Sequence, residues 1–153
     1  MKTAYILVGV PAAGKSTWIK KQPWASECVY ISTDAYVDKH AQEQGKTYNE
    51  VFKDHMPKAI KQMTQDVVDA RKNEQSIIWD QTSVSVTSRK KKFNMLPDYK
   101  MIAVVFPTPN KEELDKRLAS RPGKNIPESV VRFMIDTFEM PTREEGFDEV
   151  WIA

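Results

Sequence analysis

The chain has 153 residues, 41% of them hydrophobic and 29% charged, with a formal net charge of +2. That length fits one domain with one core, the balance is too apolar for a disordered chain, and so small a charge does not argue for a nucleic-acid partner. A single cysteine, Cys28, excludes an internal disulfide and gives no support to an oxidising compartment, so a cytoplasmic home is expected.

The N-terminus, Met1-Lys2-Thr3 and then Ala4 to Val10, is only superficially like a leader, because its short apolar run ends in Pro11-Ala12-Ala13-Gly14-Lys15. No stretch approaches the roughly 20 apolar residues of a membrane span, so no membrane contact is expected. The run Tyr5-Ile6-Leu7-Val8 reads as a first buried strand. Directly after it, Gly9-Val10-Pro11-Ala12-Ala13-Gly14-Lys15-Ser16-Thr17 satisfies G-x-x-x-x-G-K-[ST] between a strand and a helix. A polyphosphate has to be met by several backbone N–H groups at once, so the chain must bend tightly and carry little side-chain bulk there. Lys15 is expected at the β- and γ-phosphates and Ser16 on Mg²⁺, with Thr17 a further hydroxyl contact. The residues expected to hold ATP are therefore Gly9, Ala12, Ala13, Gly14, Lys15, Ser16 and Thr17.

The next strand, Val29-Tyr30-Ile31, leads through Ser32 and Thr33 to Asp34, and Cys28 is expected in the same strand. A longer helix from about Tyr48 to Lys72 carries Val51, Phe52, Met56, Ile60, Met63, Val67 and Val68 as its apolar stripe, with Pro57 able to kink or split it. The strand Ile77-Ile78-Trp79 precedes Asp80, and a helix after it carries Arg89-Lys90-Lys91-Lys92. Four consecutive positions cannot all face one way on a helix, so that run reads by default as a solvated face, with backbone contact to a nucleic acid as its functional alternative. Ile102 to Phe106 and Val150-Trp151-Ile152 complete a set of five strands. Strand alternating with helix predicts an α/β, three-layer P-loop NTPase fold, with a mostly parallel sheet of about five strands flanked by helices. Residues 1–153 form one expected domain, with a lid around 117–127.

Asp34 and Asp80 each follow a strand, at the carboxyl edge where α/β sheets gather ligands. There an aspartate can take the proton of an attacking hydroxyl or orient the Mg²⁺ shell. The bland alternatives are a helix N-cap for Asp34 and a turn for Asp80. Arg121-Pro122-Gly123-Lys124 is a basic, glycine-containing loop between two helices, suited to closing over phosphates; its alternative is an ordinary solvated loop. His40 and His55 are too isolated to suggest a metal site. Of the aromatics, Trp18, Trp24, Tyr36, Tyr48, Phe52 and Trp79 include possible base-stacking platforms, though most should pack in the core or at its rim.

Several of these pieces together resemble the kinase domain of polynucleotide 5′-hydroxyl kinases: G-x-P-x-x-G-K-S-T-W, Ile31 to Tyr36, Ile78 to Ser83, Arg117 to Arg121, Ile126 to Val131 and Pro141 to Phe147. The resemblance implies that Asp34 is the general base, that Lys15 stabilises the transferring phosphoryl group, and that Arg121, with Arg117 nearby, neutralises the donor phosphates. It also implies Ser16 and Asp80 at Mg²⁺, and Asp34, Asp80 and Gln81 at the acceptor, which would be a DNA or RNA 5′ end. The chain departs from the family at Val37, where phage-type members carry an arginine that grips the acceptor phosphate, and at Thr33, which replaces a basic residue. Two alternatives follow: a kinase of a small acceptor such as a nucleoside, nucleotide or sugar, and a non-catalytic ATP-binding module.

Overall fold

In a parallel sheet covered on both sides, alternate residues of each strand serve opposite layers, so the strands read as unbroken apolar runs. The computed structural model describes residues 2–153, with Met1 outside them. It contains β1 (Thr3–Val8), β2 (Val29–Ile31), β3 (Ile77–Trp79), β4 (Lys100–Val105) and β5 (Glu149–Ile152), in the order β2-β3-β1-β4-β5. All four pairings are parallel, and β1 sits at the centre with Ile6 opposite Trp79 on one side and Ala103 on the other. The helices are α1 (Lys15–Lys20), α2 (Thr33–Glu43), α3 (Tyr48–Lys72), α4 (Val86–Met95), α5 (Lys111–Ala119) and α6 (Glu128–Asp136), with a 3₁₀ turn at Pro23–Glu27. Cys28 closes that 3₁₀ turn immediately before β2 and so lies just outside the strand expected to hold it.

The two sides of the sheet have separate cores. Ile6, Val8 and Trp79 join Val67 and Ala70 of α3 and the late Phe147 on one side. Leu7, Ile78 and Val104 meet Trp18 and Trp24 on the other. Trp18, Trp24 and Trp79 are thus packing residues.

Helix α3 runs unbroken through Pro57. A capping box starts it: Thr47 N–H donates to Glu50 Oε1 at 2.9 Å, and Glu50 N–H donates to Thr47 Oγ1 at 3.3 Å. Val51 and Ala59, on either side of the proline, share one buried cluster with Val37 and Ala41 of α2, which holds the two halves to one line. The buried face is Val51, Ala59, Val67 and Ala70, whereas Phe52, Ile60 and Val68 of the expected stripe are exposed. Small alanines let α2 and the sheet approach closely, and this turns the helix away from its bulkier apolar side.

The basic run on α4 is a solvated face at only two of its four positions. Arg89 is fully buried and Lys92 nearly so, while Lys90 and Lys91 are exposed. Lys92 Nζ lies 5.0 Å from the centroid of the Trp79 ring, and burial, followed by the neighbouring Lys91 and Arg89 charges, pushes its pKa down from 10.5 to about 8. Between those two values the unfolded chain binds more protons, so this residue makes stability rise as pH climbs from about 8 towards 10.5. At pH 7 the penalty of keeping it charged reaches roughly 3 kcal/mol, offset by a cation–π attraction of about 1–2 kcal/mol. Lys92→Met is therefore expected to gain roughly 1 kcal/mol in urea unfolding at pH 7 and to flatten the alkaline rise. An unchanged alkaline slope would show that the ammonium is not desolvated.

Candidate active site

The three carboxyl-end turns of β1, β2 and β3 meet at one edge of the sheet. In the turn after β1, Gly9 and Gly14 answer to different constraints. A Cβ on Gly9 would come within 2.9 Å of Phe106 Cβ, so the glycine allows the loop to lie against the end of β4. Gly14 has φ +104°, a left-handed conformation that L side chains rarely adopt, and Ala12 is also left-handed at +64°. The alternation curls the loop, as a concave anion-binding cradle requires.

Lys15 folds back so that its Nζ donates to Gly9 O at 2.8 Å. Burial lowers its pKa to about 8, opposed by the charges of Asp80 and then Asp34. It faces a cavity of about 340 Å³ whose rim also carries Ser16, Arg117, Arg121 and Lys124. Arg117 is fixed at the end of α5, with Nη1 donating to Ala12 O at 3.1 Å and Nε to Glu113 Oε1 at 2.9 Å. Arg121 Nη1 is buried with no partner among the described residues. A desolvated ammonium with two protons beyond its Gly9 bond and an orphaned guanidinium nitrogen at one cradle fit a polyphosphate, which supplies acceptor oxygens for both. Gly9, Ala13 and Thr17 fall outside the cavity wall: Gly9 is packed on Phe106, Ala13 joins the core, and Thr17 is solvent-exposed.

Ser32, not Asp34, caps α2, accepting from Ala35 N–H at 3.1 Å. Asp34 is thereby left free in the first turn, half-exposed, and Tyr48 Oη–H donates to its Oδ1 at 2.6 Å. Burial, then the hydrogen bond and charge of Asp34, push the Tyr48 phenol upward, so it remains the donor. Lys124 Nζ approaches Asp38 at 3.3 Å and Asp34 at 3.8 Å, and lies 4.4 Å from the Tyr48 ring centroid. Asp80 has a matching partner in Tyr30, whose hydroxyl donates to Oδ2 and whose pKa burial raises. Gln81 is held between Trp79 Nε1–H, 3.1 Å from its Oε1, and Thr33 Oγ1, 3.3 Å from its Nε2. That leaves one amide proton for a substrate.

Ser16 and Asp80 border the same cavity, and no group of three or more His, Cys, Asp or Glu side chains is poised for a metal among the described residues. Such a sparse donor set suits Mg²⁺, which takes one or two protein oxygens and completes its shell with phosphate and water. His40 and His55 stack with centroids 4.7 Å apart, a packing arrangement away from this cavity. The 120–127 loop is docked on the start of α3: Asn49 N–H donates to Gly123 O at 3.0 Å, and Asn125 N–H donates to Asn49 Oδ1 at 2.7 Å.

Tyr30, Tyr48, Asp38 and Lys124 are the site residues that reading the sequence did not assign. Lys124 was marked only as part of a basic loop, and Tyr48 only as one aromatic among six. Their partnership depends on helix packing and carries no local signal.

The AAA domain family model matches residues 5–141, a span that includes the phosphate loop, Asp34, Asp80 and Arg121. The chain belongs to the AAA domain family. Over 150 residues this AAA domain is 27% identical to a bifunctional polynucleotide phosphatase/kinase of Schizosaccharomyces pombe, covering 95% of the chain and 32% of that relative. It thus spans about a third of the relative's length. Among solved structures it matches a chain of the Pnkp1/Rnl/Hen1 RNA repair complex at TM-score 0.65 and 25% identity, covering 89% of this chain and 43% of the other. A gluconokinase from Sinorhizobium meliloti shares the fold at TM-score 0.58 and 15% identity, over 99% and 81% of the two chains. The AAA domain is a P-loop, kinase-like phosphotransferase, and its family implies use of ATP and usually Mg²⁺. No helix among the described residues is long and apolar enough to cross a membrane.

Proposed function

We propose that this AAA domain transfers the γ-phosphate of ATP to a hydroxyl, with the 5′-hydroxyl of DNA or RNA as its acceptor. The observation that carries this is the meeting of two cavities at Asp34 and Asp80: the basic one around Lys15, and a second, mostly apolar one beside α3. A donor seated in the first and an acceptor in the second would bring their reacting atoms to the carboxylates between them. The 27% identical relative, which is a polynucleotide phosphatase/kinase, supports the choice of acceptor.

In this mechanism Asp34 accepts the proton of the acceptor hydroxyl as its oxygen bonds to the γ-phosphorus, and the bond to the bridging oxygen of ADP breaks. Lys15 and Arg121 face the charge spread over the transferring oxygens, and preorganised cations supply most of what such a reaction needs. Ser16 and Asp80 would hold Mg²⁺, which supplies further charge neutralisation when bound. Residues 120–127, with Arg117 behind them, act as the lid that carries Arg121 and Lys124 to the site.

The test is transfer of labelled phosphate from ATP to a 5′-hydroxyl oligonucleotide, nucleosides, nucleotides and sugars in parallel. Labelling of the oligonucleotide 5′ end is expected. Tight ATP binding with no transfer to any acceptor would leave a binding module, and transfer to sugars alone would reassign the acceptor.

A further inference from the structure

The second cavity, about 530 Å³, is of ligand-pocket size, and its walls are mostly carbon. Tyr48, Phe52 and Met56 of α3 form one side, and Ile126, Val130 and Met134 form the facing side. Phe52 and Val130 remain 43% and 40% exposed, so apolar surface is left open at this slot. Charge is confined to the end that meets the phosphate cavity, where the carboxylates of Asp34 and Asp80 face one ammonium, Lys124. That ammonium is already shared with Asp34 and Asp38 and covers the Tyr48 ring. Position 37 offers no substitute, because Val37 is fully buried against Ala41, Val51 and Ala59 and any side chain there would point into the α2–α3 interface.

A phosphodiester entering this slot would meet two carboxylates and, among the described residues that line it, no free cation, whereas an uncharged aromatic ring would meet a phenyl ring and two thioethers, groups that favour it over an aliphatic chain. Building on the kinase assignment above, we propose that the acceptor is gripped by its base and not by its phosphate. The slot takes an uncharged nucleoside moiety whose ring lies against Phe52 and whose 5′-hydroxyl reaches Asp34. The nearby amides have little left to offer: Asn49 exchanges hydrogen bonds with Asn125 at 2.7 and 3.1 Å, and Gln81 is tied to Trp79 and Thr33, so each keeps a single N–H. Base identity is therefore read weakly, as stacking alone tolerates any base.

The experiment compares kcat/KM for a nucleoside, the same nucleoside 3′-monophosphate and methyl β-ribofuranoside, which keeps the hydroxyl but lacks the base. Nucleoside and 3′-monophosphate should agree within about threefold, and the furanoside should fall at least about thirtyfold lower, in the range a lost base–aromatic stack costs. Phe52→Ala should raise KM for the nucleoside about tenfold, and Phe52→Trp should restore it. Because Phe52 is substantially exposed, neither variant endangers the core. A hundredfold or so preference for the 3′-monophosphate, a furanoside as good as the nucleoside, or an unchanged KM in Phe52→Ala would each overturn base recognition while leaving the kinase assignment standing. Absence of transfer to every hydroxyl tried would overturn both.

Discussion

Asp34→Asn is expected to lower kcat for phosphoryl transfer by about 10²–10⁴-fold while ATP still binds, the range spanned by loss of a general base. The substitution is nearly isosteric, and the side-chain carbonyl of asparagine can still accept the Tyr48 hydroxyl that now lies 2.6 Å from Oδ1. What it removes is the carboxylate proposed to receive the acceptor's proton. The cap of α2 is supplied by Ser32, so helix stability is not at stake. The measurement pairs steady-state transfer with calorimetric titration of ATP. Retained binding with collapsed turnover supports the assignment, and wild-type turnover in Asp34→Asn rejects it. Tyr48→Phe separates orientation from proton transfer, because it keeps the carboxylate and removes only its hydrogen-bond donor. Its loss of turnover should be smaller, on the order of tenfold, as befits one orienting hydrogen bond of about 1.5 kcal/mol to a charged group.

The parts of this site that were legible in the sequence are those fixed by local pattern. Strands buried on both faces appear as short apolar runs, and Asp34 and Asp80 were found because each follows one of them. The phosphate loop was legible because its glycines answer a backbone need, and Gly14 at φ +104° bears that out. The second cavity was legible only in part: Asp34, Asp80, Gln81, Tyr48 and Phe52 carried signals, but its remaining walls come from α3, the 120–127 loop and α6, segments brought together only by packing. Tyr48 became the partner of Asp34 through the α2–α3 contact at Val37, Ala41, Val51 and Ala59. The apolar stripe of α3 held at Val51, Met56, Met63 and Val67 but not at Phe52, Ile60 and Val68, because alanines at 59 and 70, weakly hydrophobic on any scale, share the buried face. At Arg89-Lys90-Lys91-Lys92 the solvated reading held for Lys90 and Lys91 and failed for Arg89 and Lys92, since a basic run carries no mark of which side chain is enclosed.

Arg89→Ala is expected to cost about 3–5 kcal/mol of unfolding free energy, the typical penalty for removing one partner of a buried ion pair. Arg89 is fully buried and all of its guanidinium nitrogens are engaged. Nε and Nη2 grip Glu145 at 2.7 and 3.1 Å, Nη1 donates to Ser83 O at 2.9 Å, and Nη2 also donates to Glu139 O at 2.9 Å. One side chain thereby ties the loop after β3, the turn after α6 and the segment that leads Phe147 into the core. Against a whole-domain stability of about 5–15 kcal/mol, its loss is a large fraction. Arg89→Lys keeps a charge for Glu145 but cannot span all three segments, so a smaller cost of about 1–3 kcal/mol is expected. Pairing Arg89→Ala with Glu145→Gln should recover part of the loss, because no unpaired carboxylate then remains, although the Ser83 and Glu139 carbonyls stay without donors. Urea unfolding of wild type, these variants and Glu145→Gln alone measures this directly, and a double variant as unstable as the sum of its singles would show that Glu145 is not the reason for the cost. The effect should also reach the phosphate loop. Thr82 O, one residue before Ser83, accepts the Gly9 N–H at 2.9 Å, so a loosened Ser83 loosens the first turn of the cradle that holds Lys15.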